Sequence, residues 1–130
     1  MRAARKQNIA YSLLILLTIV VTICSYFYFN QKWLYFRKGE TYYTARKFHE
    51  AIPYYVKSLR IGKTTKKTYF HLATAYIAEK EFDKAAEVYG AYLQGNPDDR
   101  EARLAFARAL SWAGKMEESQ REYQKLLEKK

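Results

Sequence analysis

The strongest constraint on this chain is an internal repeat. The stretch from Lys66 to Asp99 carries a pattern of apolar and small residues that recurs directly before it and directly after it, in one register and with no insertion. Tyr89, for example, is matched by Tyr55 before it and by Tyr123 after it. A fixed period of this length, about 34 residues, predicts stacked pairs of amphipathic helices, because one pair cannot bury its apolar face alone.

Small residues recur where paired helices must approach closely, and they are Gly39, Ala51, Ala73, Ala85 and Ala107. With the aromatic residues between them, and with Pro97 closing the middle unit, this pattern resembles the tetratricopeptide repeat (TPR) family. The resemblance covers Lys32–Lys130 and implies an all-α solenoid of three helical hairpins, residues 32–65, 66–99 and 100–130. The third repeat departs from the family pattern, with Leu110 in place of Tyr and Ser119 in place of Ala.

Helix boundaries follow from the same register. Helix A of the first repeat is expected to end near Ala45, and helix B is expected to begin near Phe48. The second repeat is expected to form helices over residues 67–79 and 82–94. The third is expected to form them from Asp98 to Ala113 and from Lys115 to about Glu128, split at Gly114.

A long apolar segment precedes the repeats. Residues 1–8 form a short basic tail, and residues 9–29 form a continuous stretch without a charge, a glycine or a proline. That length predicts a transmembrane helix, and the absence of a helix breaker up to Lys38 predicts that it continues into the first repeat. The alternative is a cleaved signal peptide. The large residues Ile23 and Tyr26, which flank Cys24 and Ser25, do not fit a cleavage site, so we expect an uncleaved anchor.

Positive charge is concentrated beside this segment. Residues 30–68 carry ten basic side chains against Glu40 and Glu50, whereas residues 69–130 carry ten against eleven acids. A basic and aromatic collar next to a membrane span predicts contact with anionic lipid headgroups. The expected interface residues are Tyr26, Tyr28, Lys32, Trp33, Tyr35, Arg37 and Lys38. Nucleic-acid binding through Lys63, Lys66 and Lys67 is the competing interpretation of a basic chain, and we expect no nucleic acid as partner.

Orientation is weakly determined by sequence. The positive-inside rule counts basic residues near both ends of the span, and both ends carry them. A dense basic tail is hard to translocate, so we expect the N-terminus inside and the repeats in a bacterial periplasm. The alternative is a repeat domain that faces the cytosol.

No catalytic constellation is visible in the sequence. Cys24 is the single cysteine, and His49 and His71 have no second metal ligand at a suitable spacing, so surface or helix-end roles are expected for both. Gly62-Lys63-Thr64 is not a phosphate loop, because Lys57 stands where that motif requires glycine. We therefore expect no enzyme activity, cofactor, metal or small-molecule substrate.

In the TPR family, particular helix A positions line a concave groove. Transferred to this sequence, the resemblance implies a partner-binding groove formed by Trp33, Phe36, Tyr43, Phe70, Thr74, Ile77, Leu104, Arg108 and Trp112. This mostly apolar set favours a helix or apolar segment of another membrane or envelope protein as partner. The alternative is that Trp33 and Phe36 meet lipid and that Trp112 packs internally.

The stretch Leu104–Leu127 contains Ala107-Arg108-Ala109-Leu110-Ser111-Trp112-Ala113-Gly114. This stretch also resembles a short pattern of TPR segments in bacterial exopolysaccharide synthesis and export proteins. We therefore expect a membrane-anchored scaffold or accessory subunit in a cell-envelope complex for secretion, exopolysaccharide export or envelope assembly. The alternative function is a cytosol-facing receptor for targeting segments or client proteins. The polar face of the last helix is expected to solvate the open end of the stack, unless a partner subunit continues the stack.

Overall fold

The structure is a computed structural model that describes residues 2–62 and 65–128, without the side chains of residues 2–6 and of Lys32. Across these ranges the chain forms six α-helices: α1 Arg2–Thr44, α2 Phe48–Ile61, α3 Lys66–Ala78, α4 Phe82–Gly95, α5 Arg100–Trp112 and α6 Met116–Glu128. The all-α, TPR-like solenoid expected from the repeat is confirmed. The fifth helix begins two residues later than expected, because the Asp99 carboxylate caps it by accepting a hydrogen bond from the amide of Ala102 at 3.0 Å.

The chain divides into two compact units, residues 1–31 and residues 32–130. In the first unit, the apolar side chains from Ile9 to Phe29 are exposed. The stretch Gln7–Thr44 of α1 is long and apolar enough to cross a membrane by length and composition, a test that a signal sequence also passes. The basic side chains of the tail lie outside the described residues.

In the second unit, the turn inside each hairpin has the same geometry at equivalent positions of the repeat. Arg46, Lys80 and Gly114 adopt positive φ values of 58°, 61° and 78°. At each turn, the amide of the next residue donates to a carbonyl five positions back, and the three bonds are Lys47 to Tyr42 at 2.9 Å, Glu81 to Tyr76 at 2.8 Å and Lys115 to Leu110 at 2.9 Å. This is a Schellman motif, which satisfies the last carbonyls of each A helix.

The core of this unit lies between successive hairpins. Ala51, Tyr55 and Leu72 form the buried cluster between the first and second hairpins. A second cluster joins the second and third hairpins through Ala73, Ala85, Ala86, Tyr89, Ala109 and Leu110. The small residues expected at close approaches are all buried. Each hairpin therefore covers the apolar face of the one before it. The first helices of the three hairpins, α1, α3 and α5, together form a surface that we call the A-helix face.

Candidate partner-binding face

A polar cluster joins the first and second hairpins on the A-helix face. Glu40 is its centre: one carboxylate oxygen accepts from the hydroxyl of Tyr55 at 2.5 Å and lies 2.5 Å from Nδ1 of His71. The other oxygen pairs with Nζ of Lys67 at 2.5 Å. Tyr55 is fully buried, whereas the side chains of Glu40 and His71 remain 19% and 23% exposed. The cluster therefore fixes α1, α2 and α3 together while presenting polar atoms to solvent.

The electrostatics of this cluster follow from its hydrogen bonds. Burial opposes ionisation of Glu40, but the bonds from Lys67, Tyr55 and His71 outweigh it, so the pKa of Glu40 is lowered. Burial and the bond to Glu40 raise the pKa of Tyr55, which keeps its hydroxyl protonated as the donor. Glu40 is thus a carboxylate at neutral pH, held by three donors.

Aromatic rings surround these polar groups. The ring of Tyr43 stacks on the imidazole of His71 at 4.1 Å between centroids, with the planes 3° apart. The rings of Phe48 and Tyr43 pack edge to face, with their centroids 5.4 Å apart. The Lys67 ammonium also lies 5.7 Å from the centre of the Phe36 ring, within the range of a cation–π contact.

Several of the expected apolar groove residues have less exposed side chains than the sequence suggests. Phe36 is half-buried against Tyr55, and Phe70 is half-buried with its ring 5.2 Å from Tyr89. Ile77 packs against the second core cluster. The rings of Phe36 and Phe70 therefore pack against the B helix of their own hairpin, so part of each apolar side chain is unavailable to a partner.

Of the remaining groove residues, Thr74 and Leu104 are half-buried, whereas Arg108 and Trp112 are exposed. Thr74 is half-buried and hydrogen-bonds to Tyr89. Leu104 is half-buried and lines a depression with residues of α5 and α6. Arg108 is exposed.

Trp112 is the one groove residue of α5 whose large apolar side chain is exposed, at 53%, and its ring lies 6.0 Å from that of Phe82. Trp33, on the first A helix, is similarly exposed at 54%. The A-helix face therefore has an exposed indole on its first and on its last helix.

The expected membrane-interface residues are mostly exposed. In the first unit, Tyr26 and Tyr28 are 66% and 68% exposed. In the second unit, the Arg37 guanidinium lies 4.6 Å from the centre of the Trp33 ring. Tyr35 is half-buried, and Nζ of Lys57 lies 5.5 Å from the centre of its ring.

Lys38 is also exposed and lies 5.8 Å from the Tyr54 ring. The side chain of Lys32 lies outside the described residues. The first hairpin thus carries cations over aromatic rings.

His71 lies in an environment that the sequence does not predict. The sequence predicts it at the surface or at a helix end, whereas it lies half-buried against Glu40 and Tyr43. The available signal is the register of the repeat, which puts Glu40, Tyr55 and His71 where two hairpins meet. His49, by contrast, is exposed, with its Nδ1 3.6 Å from Glu79. Within the part of the chain that the structure describes, no three acidic, cysteine or histidine side chains are placed to hold a metal ion.

Sequence comparison identifies the same family over two parts of the chain. Residues 34–62 and residues 76–130 each match a sequence model of the tetratricopeptide repeat. No curated protein matches the chain significantly.

Solved structures share the fold. MamA AMB-1 is 24% identical, with a TM-score of 0.63 over 70% of this chain, and the chain spans half the length of that structure. The first TPR of Spaghetti (RPAP3), bound to the HSP90 peptide SRMEEVD, is 24% identical, with a TM-score of 0.64 over 76% of this chain and 79% of that one. The Arabidopsis OM64 TPR domain is 15% identical, with a TM-score of 0.64 over 77% of this chain and 83% of that one. These likenesses show an all-α helical solenoid.

Proposed function

We propose that this chain, which the family and fold matches support as a tetratricopeptide repeat protein, is a membrane-anchored scaffold subunit. Its A-helix face binds a helix or apolar segment of another envelope protein. The observation that carries the proposal is the composition of that face: Trp33 and Trp112 are about half exposed, with the stacked rings of Tyr43 and His71 between them in sequence. Exposed tryptophans are preferred anchors of protein interfaces.

Polar groups on the same face supply orientation. The Lys67 side chain is 56% exposed while its ammonium pairs with Glu40, and Arg108 is exposed on α5. A partner segment that places apolar side chains on the rings can therefore also accept hydrogen bonds from two cations. The solved RPAP3 domain has this fold and holds a peptide, which supports peptide-sized recognition for the present chain.

The membrane part of the proposal has two supports. The apolar segment of α1 is long enough to span a bilayer, and the first hairpin carries Arg37 and Lys38 beside aromatic rings. Each Lys or Arg near an anionic surface contributes about 1 kcal/mol of attraction. We place the repeats in a bacterial periplasm, within a secretion, exopolysaccharide or envelope-assembly complex. The short sequence pattern at residues 107–114 is the reason for including the second of these.

A matched pair of substitutions, each replacing an alanine with glutamate, tests the binding face. Ala78→Glu adds an acid at an exposed position of α3 on the A-helix face, and Ala91→Glu adds one at an exposed position of α4. Partners that co-purify with the full chain from detergent extracts are quantified for both variants. We expect Ala78→Glu to reduce recovery of the main partner at least about tenfold, a loss of about 1.4 kcal/mol, and Ala91→Glu to leave it unchanged. Equal recovery would remove the A-helix face from the proposal.

The second candidate function is a cytosol-facing receptor, favoured by the basic residues Arg37 and Lys38 on the C-terminal side of the span. Protease treatment of intact spheroplasts separates the two orientations through a C-terminal tag. Cleavage of the tag without lysis is the result expected for the periplasmic arrangement, whereas protection supports the receptor.

A further inference from the structure

The first hairpin carries a surface of tyrosines and lysines, which we call the leading face. It consists of Tyr35, Lys38 and Tyr42 from α1 and of Tyr54 and Lys57 from α2. The three tyrosines are half-buried, and the two lysines are exposed. The face therefore combines aromatic area with positive charge and is distinct from the A-helix face.

The internal repeat shows what the same surface does in the second hairpin. Lys38 is equivalent to Leu72, which is 1% exposed in the core between the first and second hairpins. Tyr54 is equivalent to Val88, which packs against the same core cluster. In the second hairpin this surface is therefore apolar and lies against the hairpin before it.

The leading face does not have the composition of such a stacking surface. A hairpin packed against it would bury the Lys38 ammonium where the second hairpin buries a leucine, and burial of an unpaired charge is costly. The chain directly before the face is α1 itself, which is one continuous helix from Arg2 to Thr44. The face is therefore suited to a charged and hydrated surface.

Each lysine of the leading face reaches across to the other helix. Nζ of Lys38, from α1, lies 5.8 Å from the centre of the Tyr54 ring on α2. Nζ of Lys57, from α2, lies 5.5 Å from the centre of the Tyr35 ring on α1. These contacts are within the cation–π range and hold both ammonium groups beside the seam between the helices. They leave N–H donors free for a phosphate, because an ammonium has three donors.

The charges of the face are unevenly distributed along the hairpin. Among the described residues, neither Lys38 nor Lys57 takes part in an ion pair. Glu50 lies one turn before Tyr54, near the start of α2, whereas Lys57 and the exposed Arg60 lie in its last two turns. The cations are thus concentrated at the end of the hairpin that is remote from its turn.

We propose that the leading face lies on the headgroups of an anionic bilayer, with Lys38 and Lys57 binding lipid phosphates. The rings of Tyr35 and Tyr54 then lie at headgroup depth, where aromatic residues are enriched. The inference rests on the proposed membrane anchor, because α1 links this face to the apolar stretch that ends at Phe29. It adds α2 to the membrane interface and so specifies which side of the repeat domain faces the lipid.

Lipid nanodiscs that hold the full chain test this proposal. A fluorophore on Arg60→Cys, in a Cys24→Ser background, reports contact with a lipid that carries a quencher on its headgroup. Discs of phosphatidylcholine are compared with discs that also contain phosphatidylglycerol. We expect at least about twofold more quenching in the anionic discs, because each lysine is attracted to anionic lipid. The Lys38→Gln/Lys57→Gln variant should lose this gain.

Matched controls come from the other hairpins. Lys115→Gln/Lys125→Gln removes the same charge from the third hairpin, where Lys125 is the counterpart of Lys57, and should keep the gain. A fluorophore on Gln94→Cys, the exposed counterpart of Arg60 on α4, should show no gain. Circular dichroism checks that every variant folds.

Equal quenching in neutral and anionic discs would overturn the proposal and would leave an acidic protein segment as the occupant of the leading face. A gain that persists in the Lys38→Gln/Lys57→Gln variant would also overturn it. Failure of the full chain to co-elute with neutral discs would instead overturn the membrane anchor. The two failures are therefore distinguishable.

Discussion

Gly39→Ala and Gly90→Ala are the same substitution inside two helices, and we expect opposite effects on stability. A Cβ at position 39 would lie 2.9 Å from two ring carbons of Tyr55. The ring cannot move away cheaply, since it is fully buried and its hydroxyl is bound to Glu40. At position 90, the nearest atoms would be ring carbons of Phe106 at 3.5 Å, an ordinary contact.

The magnitudes follow from two opposing effects. Replacing a mid-helix glycine with alanine stabilises by about 1 kcal/mol through helix propensity. Overpacking at position 39 costs about 1–3 kcal/mol. Gly39→Ala should therefore lower the free energy of unfolding by about 1 kcal/mol, and Gly90→Ala should raise it by up to about 1 kcal/mol. For a unit of this size, each kcal/mol shifts the melting temperature by roughly 4–8 °C.

Near-UV circular dichroism of the full chain in detergent follows the packing of the tyrosine and tryptophan rings during heating. The expected order of melting temperature is Gly90→Ala, then the unmodified chain, then Gly39→Ala. If Gly39→Ala melted as high as Gly90→Ala, the close contact between α1 and α2 would be wrong.

Three further predictions concern the same unit. The pKa of Glu40 is lowered in the folded state, so its contribution to stability is present above its ordinary pKa of 4.5 and is lost as pH falls through the lowered value. The difference in free energy of unfolding between the unmodified chain and Glu40→Gln should therefore shrink as pH falls below 4.5. A difference in urea unfolding that does not change with pH would contradict this. Asp99→Ala should lower the free energy of unfolding by about 1 kcal/mol, because it removes the cap of α5. Asp99→Asn keeps a capping oxygen and should lower it less in the same urea assay. Equal losses of stability in the two variants would exclude the capping role. Lys80→Gly should raise the free energy of unfolding by about 0.5–1 kcal/mol, because φ is 61° at that residue and glycine adopts positive φ at lower cost than lysine. A lower melting temperature of this variant would show that the turn does not require the left-handed conformation.

The register of the internal repeat was sufficient to predict the helical hairpins and their close contacts. Gly39, Ala51 and Ala85 identified where helices meet, because only small residues permit that approach. The turn conformation was also available from the register. Arg46 and Lys80 align with Gly114, and a glycine at one of three equivalent turns indicates a left-handed residue at all of them.

Side-chain exposure on the A-helix face was not predictable to the same degree. Whether Phe70 faces solvent or its own hairpin depends on how closely α3 and α4 pack, and the repeat pattern leaves that spacing open. The contact between Glu40 and His71 joins residues 31 positions apart in different hairpins, at 2.5 Å. It depends on the rotation between stacked hairpins, which no local sequence signal sets.

Photo-crosslinking in native membranes tests the binding face most directly. A photoreactive amino acid is placed at Ala78 or Arg108 on the A-helix face, and at Ala91 or Arg121 on the B helices, all of them exposed positions. We expect a discrete adduct with another envelope protein from Ala78 and Arg108 and none of that mass from Ala91 and Arg121. Adducts from the B helices alone would contradict it.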